Sequence, residues 1–550
     1  MVAGTAEKFF NTAGPVKGDL NYIVDPLRRV KYDEVEALIR QQRYFVLRAP
    51  HQTGKTTSLL AMTKRINDGG SYYCVYMNVE SAQTARNDVP SGMQAILSAF
   101  TEGVNRFIER PPNIKPVGML LEEFGGHSAL CGALTAFCKK LDKPLVLLID
   151  GVDALIGDTL VSVLRQLCSG YESRPEQFPI SAVLCAVRDI RDYHIHQSDG
   201  GIVTGENCFS VKAESLRLGD FSESEIMELY GQHATATWQI FEENIYPEVW
   251  RLTHGQPWLV NALAATATAK IPEGRDRVKP ITLEIIEKAA ELLILSRAVH
   301  LDQLANTLYE PKVRRVIAPM AAGESWPEDA LEKPAPDDVQ YVIDLGLLRR
   351  LDPDRENELV ISNEIYKEII PRELTAIMQE GMAFCPRLPW YVAADGTLDA
   401  RKLLREFQHF FRENTKNWGS GFAYKEAGFQ LLFQAFLQRI LNGGGNIHRE
   451  YALGRGSVDL LVRWRYPKEA QRGEQLEQRI VIELKTVRKP RSPERALSEG
   501  FEQTASYADR ADATEAHLVI CDERPGTSWD SKIYEHAAWS GSREIVIWGV

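Results

Sequence analysis

Residues 44–57 constrain this chain more than any other stretch. Four β-prone apolar residues, Tyr44, Phe45, Val46 and Leu47, lead into Arg48, Ala49, Pro50, His51, Gln52, Thr53, Gly54, Lys55, Thr56 and Thr57, and an apolar helical pattern follows. A strand, a glycine-bearing loop and a helix in that order make a ready anion cradle. Gly54 lets the backbone curl until its N–H groups converge. The helix N-terminus adds partial positive charge and Lys55 a full one. The Thr56 hydroxyl follows, where a divalent cation would need it. The segment is a P-loop with Ala49 in place of the usual first glycine. Residues 49–57 are expected to hold a nucleoside triphosphate, with Lys55 on the β/γ oxygens and Thr56 on Mg²⁺.

A second segment fits the first. Pro144, Leu145, Val146, Leu147, Leu148, Ile149 and Asp150 form an apolar run ending in an acid, followed by Gly151, Val152 and Asp153. On its own, Asp150 reads equally well as a strand-end helix cap. Beside a P-loop it reads as a Walker B strand, with Asp150 holding Mg²⁺ through water. The carboxylate that often follows, and polarises the attacking water, is replaced by Gly151. Asp153 is the next acid. Slow hydrolysis is therefore expected, with ATP a switch more than a fuel.

The chain has 550 residues, too many for one hydrophobic core. Near-continuous apolar runs at 44–47, 72–78, 145–150 and 180–187 alternate with longer helical stretches, the pattern of a parallel sheet covered on both faces. Residues 216–301 read as helical, with Ser222 before Glu225 as a polar start. Residues 302–372 combine helices with a hairpin, 347–351 and 358–361, which has the size of a winged-helix module. Pro386, Pro389 and Gly396 mark 383–399 as a linker. The expected organisation is an α/β P-loop domain at 1–215, a helical lid at 216–301, a winged-helix-like module at 302–380, a linker at 381–404 and a further α/β domain at 405–550.

From about residue 15 to about residue 375 the chain resembles the prokaryotic AAA-like, STAND-type ATPases. The resemblance rests on the P-loop, on Leu148-Ile149-Asp150-Gly151-Val152-Asp153, on the strand ending at Arg188-Asp189, and on Thr253-His254-Gly255-Gln256-Pro257-Trp258. It implies that Arg188 senses the γ-phosphate and that the turn at Gln256 and Pro257 packs on the nucleotide. It also implies that the segment carrying Arg28 closes over the base. Assembly into a homo-oligomer through this domain is a further implication.

The C-terminal domain carries its own acidic group. Asp459 lies in the apolar run 457–462, and Glu483 and Lys485 lie two apart in 479–486, so the latter pair faces one side of a sheet. Two carboxylates and an ammonium are costly in an apolar strand pair. They make sense if Asp459 and Glu483 bind Mg²⁺ and Lys485 positions the attacking water. The carboxylates repel when no cation is present. Loss of either is therefore expected to leave metal-free stability level or higher, and loss of Lys485 to lower it. Glu426 upstream, and Gln503 and Tyr507 at i and i+4 on a helix downstream, complete an order of helix, three strands, helix, strand. Residues 405–550 thus resemble the PD-(D/E)XK, restriction-endonuclease-like superfamily. His448, Arg449, Arg488, Lys489, Arg491 and Arg495 form a basic rim that suits a phosphodiester.

Composition bounds the rest. The net charge of −11 argues against a chain that wraps nucleic acid, but residues 401–550 hold 23 Lys+Arg against 20 Asp+Glu. The excess acid lies in the first 400 residues, and the C-terminal part can approach phosphates. No apolar run of about 18 residues marks a membrane span, and the first ten residues lack a secretory pattern. The eight cysteines form no CxxC pair, as expected of reduced thiols in a cytoplasmic protein. The expectation is an ATP-regulated, Mg²⁺-dependent nuclease acting on nucleic acid, with DNA the first candidate. Two rivals stand beside it: an ATP-dependent scaffold whose nuclease-like domain only binds, and a nucleic-acid motor.

Overall fold

The computed structural model describes residues 7–189, 194–196, 202–204, 214–295, 307–321, 334–351, 359–380, 391–393, 395–418, 429, 433, 436, 437, 445–453, 456–467, 475–487, 493–522, 524 and 528–550. The chain divides into two compact units, 1–302 with 335–365, and 303–334 with 366–550.

The first unit is organised by a sheet whose inner strands are apolar on both faces. β1 (Phe45–Arg48), β2 (Tyr73–Asn78), β3 (Leu145–Asp150) and β4 (Ser181–Ala186) stand where the apolar runs predict them. Two short strands, β5 (His194–His196) and β6 (Ile202–Thr204), pair with each other apart from this sheet. A fifth member, β7 (Glu214–Arg217), falls at the expected domain boundary. Its exposed, half-buried pattern is that of an edge strand, so it carries no apolar run to reveal it. The order is β2-β3-β4-β1-β7, and every pair is parallel. All loops leaving the C-terminal ends of β1, β3 and β2 therefore open on one edge, where ligands of open α/β sheets bind. Helices Val89–Phe107, Ala129–Cys138 and Asp158–Ser169 bury one face. Helices Tyr32–Arg40 and Lys55–Asp68 bury the other.

Five helices follow β7: Glu223–Thr237, Ile245–Thr253, Pro257–Ala269, Pro272–Arg275 and Leu283–Leu295. The first opens with a full capping box in which Ser222 and Glu225 satisfy each other's backbone N–H groups. The N-terminal segment straps onto this helix. Ile23 exchanges two backbone hydrogen bonds with the Gln232 amide, at 3.1 and 2.9 Å. The Tyr22 hydroxyl lies 3.1 Å from His233 Nδ1, and Phe10 packs on Tyr22 and Tyr230. A hairpin of β8 (Leu348–Arg350) and β9 (Leu359–Ile361) lies in the expected winged-helix region.

In the second unit β10 (Gly445–Leu453), β11 (Gly456–Pro467) and β12 (Gln475–Val487) form an antiparallel meander. Helix Pro493–Arg510 crosses over to β13 (Glu515–Asp522), which runs parallel to β12. β14 (Tyr534–Ser540) and β15 (Arg543–Gly549) complete the order β10-β11-β12-β13-β15-β14. Part of the expected linker is built into this unit. Val392 bridges to Leu398, and the buried Leu398 N–H donates to Gln478 Oε1 at 2.9 Å.

His233 makes the strap pH-sensitive. Its Nε2 lies 3.1 Å from Gln239 Oε1, an acceptor only, so Nε2 carries the proton and Nδ1 accepts from Tyr22. Burial holds the imidazole below its ordinary value, with the Arg277 guanidinium adding to the shift and the Gln239 hydrogen bond opposing it. The unfolded chain therefore binds a proton that the folded one does not, and stability falls as the pH drops below about 6.5. Amide exchange across Glu223–Thr237, corrected for intrinsic rates, should accelerate between pH 7 and pH 5 in the wild type. In His233→Gln that pH dependence should be largely lost.

Candidate functional site

The loop 49–54 closes on itself. Gly54 has φ +86°, a left-handed conformation that favours glycine, and a Cβ there would stand 3.3 Å from Arg29 Nη1. Lys55 Nζ donates to the Ala49 carbonyl at 3.0 Å. The Thr56 hydroxyl donates to Asp150 Oδ2 at 2.7 Å. The Tyr76 hydroxyl donates to the same oxygen at 3.0 Å, and the Gly151 N–H donates to Oδ1 at 3.0 Å. Burial, then the charge of Asp150, pushes the Tyr76 phenol well above its ordinary value, so it stays a donor. Asp150 is thus aimed by three hydrogen bonds before any ligand arrives.

Arg29 supports the loop from beneath. Its Nη2 donates to the Thr53 carbonyl at 2.6 Å, its Nε donates to the Gly219 carbonyl at 2.8 Å, and its guanidinium lies 4.9 Å from the Phe221 ring centre. Burial pulls it down to about 10, with Asp220 and Glu225 opposing, so it remains charged at neutral pH. One side chain therefore joins the N-terminal segment, the loop and the chain entering the lid.

A cavity of about 320 Å³ opens above the loop, within the range of small-molecule sites. His51, Gln52, Gly54, Lys55, Thr56, Thr57, Asp150 and Asp153 line one side, and Pro257, Trp258 and Asn261 come from helix Pro257–Ala269, in the region expected to be the lid. Residues 11–16 and 22–24 of the strap close it. Val16 N–H donates to Thr57 Oγ1 at 3.1 Å, and the Trp258 indole donates to the Thr12 carbonyl at 2.9 Å. Asn261 Oδ1 is buried with no hydrogen-bond partner among the described residues, and it offers an acceptor to a ligand hydroxyl or amino group. The Thr56 hydroxyl and Asp150 carboxylate are the hard oxygen donors that Mg²⁺ takes.

Several expected contacts lie elsewhere. Ala49 takes part through its carbonyl, and Thr53 through its carbonyl to Arg29. Arg28 is exposed and pairs with Glu228 at 2.7 Å, so its neighbour Arg29 is the one that reaches the loop. The Gln256 side chain caps its own helix, accepting from the Leu259 N–H at 2.6 Å, while Pro257 lines the cavity. Pro50 and Arg188 face helix Pro336–Asp344 and the turn after it. A Cβ on Gly346, which has φ +77°, would lie 2.7 Å from Pro50 Cγ. Arg188 stacks 5.2 Å from the Tyr341 ring centre, and Arg48, at the end of β1, pairs with the buried Asp344 at 3.2 Å. The strand ends flanking the loop are thereby braced against residues 336–346. The strap, Arg29 and Asn261 escaped the sequence reading because none belongs to a motif. The only signal was a polar residue on an otherwise apolar helix start at 257–261.

In the second unit Glu483 is 2% exposed and accepts from Lys485 Nζ at 2.6 Å. Leu460 pairs with Ile482, so Asp459 and Glu483 occupy the next positions on neighbouring antiparallel strands. Val481, Val487 and Leu461 of the same sheet face pack with Ala496 and Ala508 of helix Pro493–Arg510. On that helix Gln503 is exposed and Tyr507 half-buried. Glu426 lies outside the described residues, as do Arg488, Lys489 and Arg491 of the basic rim, and Arg495 pairs with Glu499 at 2.8 Å. Among the described residues no three His, Cys, Asp or Glu gather as a metal cluster, and the Asp459 side chain is not among those described.

The sheet order and the loop geometry give the first unit the α/β fold of a P-loop NTPase. No protein-family model matches the chain, and no curated protein does. Among solved structures it is similar to a Walker-type ATPase of Pyrococcus abyssi, at 11% identity over 66% of this chain and 99% of that one, TM-score 0.46. It is similar to the RuvB Holliday junction branch migration motor of Thermotoga maritima, at 14% identity over 62% and 94%, TM-score 0.31. It is similar also to Cdc6p of Pyrobaculum aerophilum, at 14% identity over 65% and 95%, TM-score 0.34. Likeness at this level carries no argument about function. No helix among the described residues is long and apolar enough to cross a membrane, and no two of the described cysteines form a disulfide.

The direct Glu483–Lys485 pair changes one expectation. Removing Glu483 strands a largely buried ammonium, so Glu483→Ala and Lys485→Ala should each destabilise the second unit by about 3 kcal/mol. The double variant should cost clearly less than the sum. A urea-unfolding cycle in EDTA measures this coupling.

Proposed function

We propose that this chain is an ATP-binding P-loop ATPase whose nucleotide state controls a metal-dependent nuclease in its C-terminal unit. The observation that carries the nucleotide half is the Thr56 hydroxyl held 2.7 Å from Asp150, beside Lys55 at the mouth of a lid-covered cavity. A triphosphate would draw the Lys55 ammonium from the Ala49 carbonyl to its own oxygens, and Asn261 would meet the nucleoside end. Mg²⁺, when bound by Thr56 and Asp150, offsets the charge on the β and γ oxygens.

For the nuclease half, support comes from register. Leu460 of β11 pairs with Ile482 of β12, so Asp459 and Glu483 hold the next positions along the two strands, with Lys485 two residues beyond Glu483. The meander, crossover helix and parallel β13 follow the element order of a PD-(D/E)XK domain. Lys485 would orient a water toward a phosphodiester, and the carboxylates would hold Mg²⁺, which activates such a water when bound. A second reading, a scaffold that binds without cleaving, is favoured by the closed Glu483–Lys485 pair at 2.6 Å.

Plasmid and oligonucleotide cleavage in Mg²⁺ or Mn²⁺, with and without ATP, separates the two. Wild type should cleave only with metal, and Glu483→Gln should not cleave. Lys55→Ala should bind ATP at least tenfold more weakly by calorimetry, a loss of about 1.4 kcal/mol or more, and its cleavage should ignore ATP. ATP binding without cleavage under any condition would favour the scaffold.

A further inference from the structure

Gly151 leaves the Walker B strand without the carboxylate expected after Asp150. The structure supplies one from the neighbouring strand. β2 runs parallel to β3 with Asn78 opposite Asp150, and the Val79 N–H donates to the Asp150 carbonyl at 3.0 Å. Both strands therefore deliver their next residues to the same edge. Asn78 Oδ1 then accepts from the Glu80 N–H at 2.8 Å, which fixes the turn that aims Glu80. A Cβ built on Gly151 would stand 2.6 Å from Glu80 Cγ and 3.4 Å from its Oε1. The Glu80 side chain thus fills the space that a side chain at 151 would take. It lines the cavity with Lys55, Thr56, Asp150 and Asp153. Among the described residues its carboxylate has no hydrogen-bond or ion-pair partner, so no structural bond accounts for an acid in this position.

We infer that Glu80 is the carboxylate that activates water for attack on the γ-phosphate, an inference that rests on the ATP-site reading above. The water oxygen forms a bond to the γ-phosphorus as the bond to the β,γ-bridging oxygen breaks. The bridging electron pair leaves with ADP, and the water proton passes to the Glu80 carboxylate and from there to inorganic phosphate or solvent. Gly151 is required as glycine by this arrangement, both for its φ of +73° and for the room it leaves Glu80.

The test uses the full chain with Mg²⁺ and ATP. Glu80→Gln keeps the shape and removes the base. Its ATP affinity by calorimetry should stay within about threefold of wild type. Its single-turnover hydrolysis should fall at least ~100-fold, and the nucleotide recovered from the protein should be ATP where wild type yields ADP. Asp153→Asn should lose less. Wild-type turnover in Glu80→Gln, or a larger loss in Asp153→Asn, overturns the assignment. Failure of the wild type to bind ATP overturns the site reading, and the inference with it.

Discussion

A buried guanidinium under the P-loop is the constraint on which the first unit depends. Arg29 donates to the carbonyls of Thr53 and Gly219 and lies against Phe221. A charge taken out of water survives only if its donors are used, and here the acceptors come from the loop and from the chain that enters the lid. The loop and the segment that enters helix Glu223–Thr237 are thus tied to one side chain, while Tyr22 and Ile23 tie the strap to that helix. Gly54 is part of the same constraint, since any Cβ there would crowd Arg29 Nη1. Loop, strap and lid are consequently one cooperative piece of structure.

The polar groups of the site are satisfied among themselves while they wait for a ligand. Lys55 rests on Ala49, and Asp150 accepts from Thr56, Tyr76 and Gly151. On the proposed reading a polyphosphate would find these charges already assembled and would exchange partners with them. That exchange would occur beside Pro50, Arg48 and Arg188, which are braced on residues 336–346. A change in loop geometry therefore has a packed neighbour to act on. The same economy is absent at Asn261 and Glu80, whose side-chain oxygens lack a partner among the described residues. Both line the cavity above the P-loop.

Much of this was legible in the chain. β1 to β4 announce themselves because parallel strands covered by helices on both faces are apolar almost throughout, and this holds even for β2 at the sheet's edge. The P-loop and Asp150 are legible because close spacing in sequence reports a close spacing in space. β7 was not, because an edge strand of Glu214, Ser215, Leu216 and Arg217 has no need of an apolar run. The role of Arg29 was not legible either: one residue of helical rotation, about 100°, separates it from the exposed Arg28 and decides which of the two arginines is buried. That strand pairing brings Glu80 to Gly151 across 71 residues of sequence was not legible, because spacing in sequence does not report strand order. In the second unit, register places Asp459 beside Glu483, whereas the ion pair that Glu483 makes with Lys485 could be seen only in three dimensions.

The central claim is that a nucleoside triphosphate binds between the P-loop and a lid that the N-terminal strap closes. Hydrogen exchange of the full chain, with and without Mg²⁺ and ATP, tests it most directly. Slower exchange is expected in residues 9–24, in the loop 49–57 and at 257–261 together, with Lys55→Ala showing none of it. Binding detected by calorimetry that leaves residues 9–24 and 257–261 unchanged would contradict it, since the nucleotide would then sit outside the cavity these residues enclose.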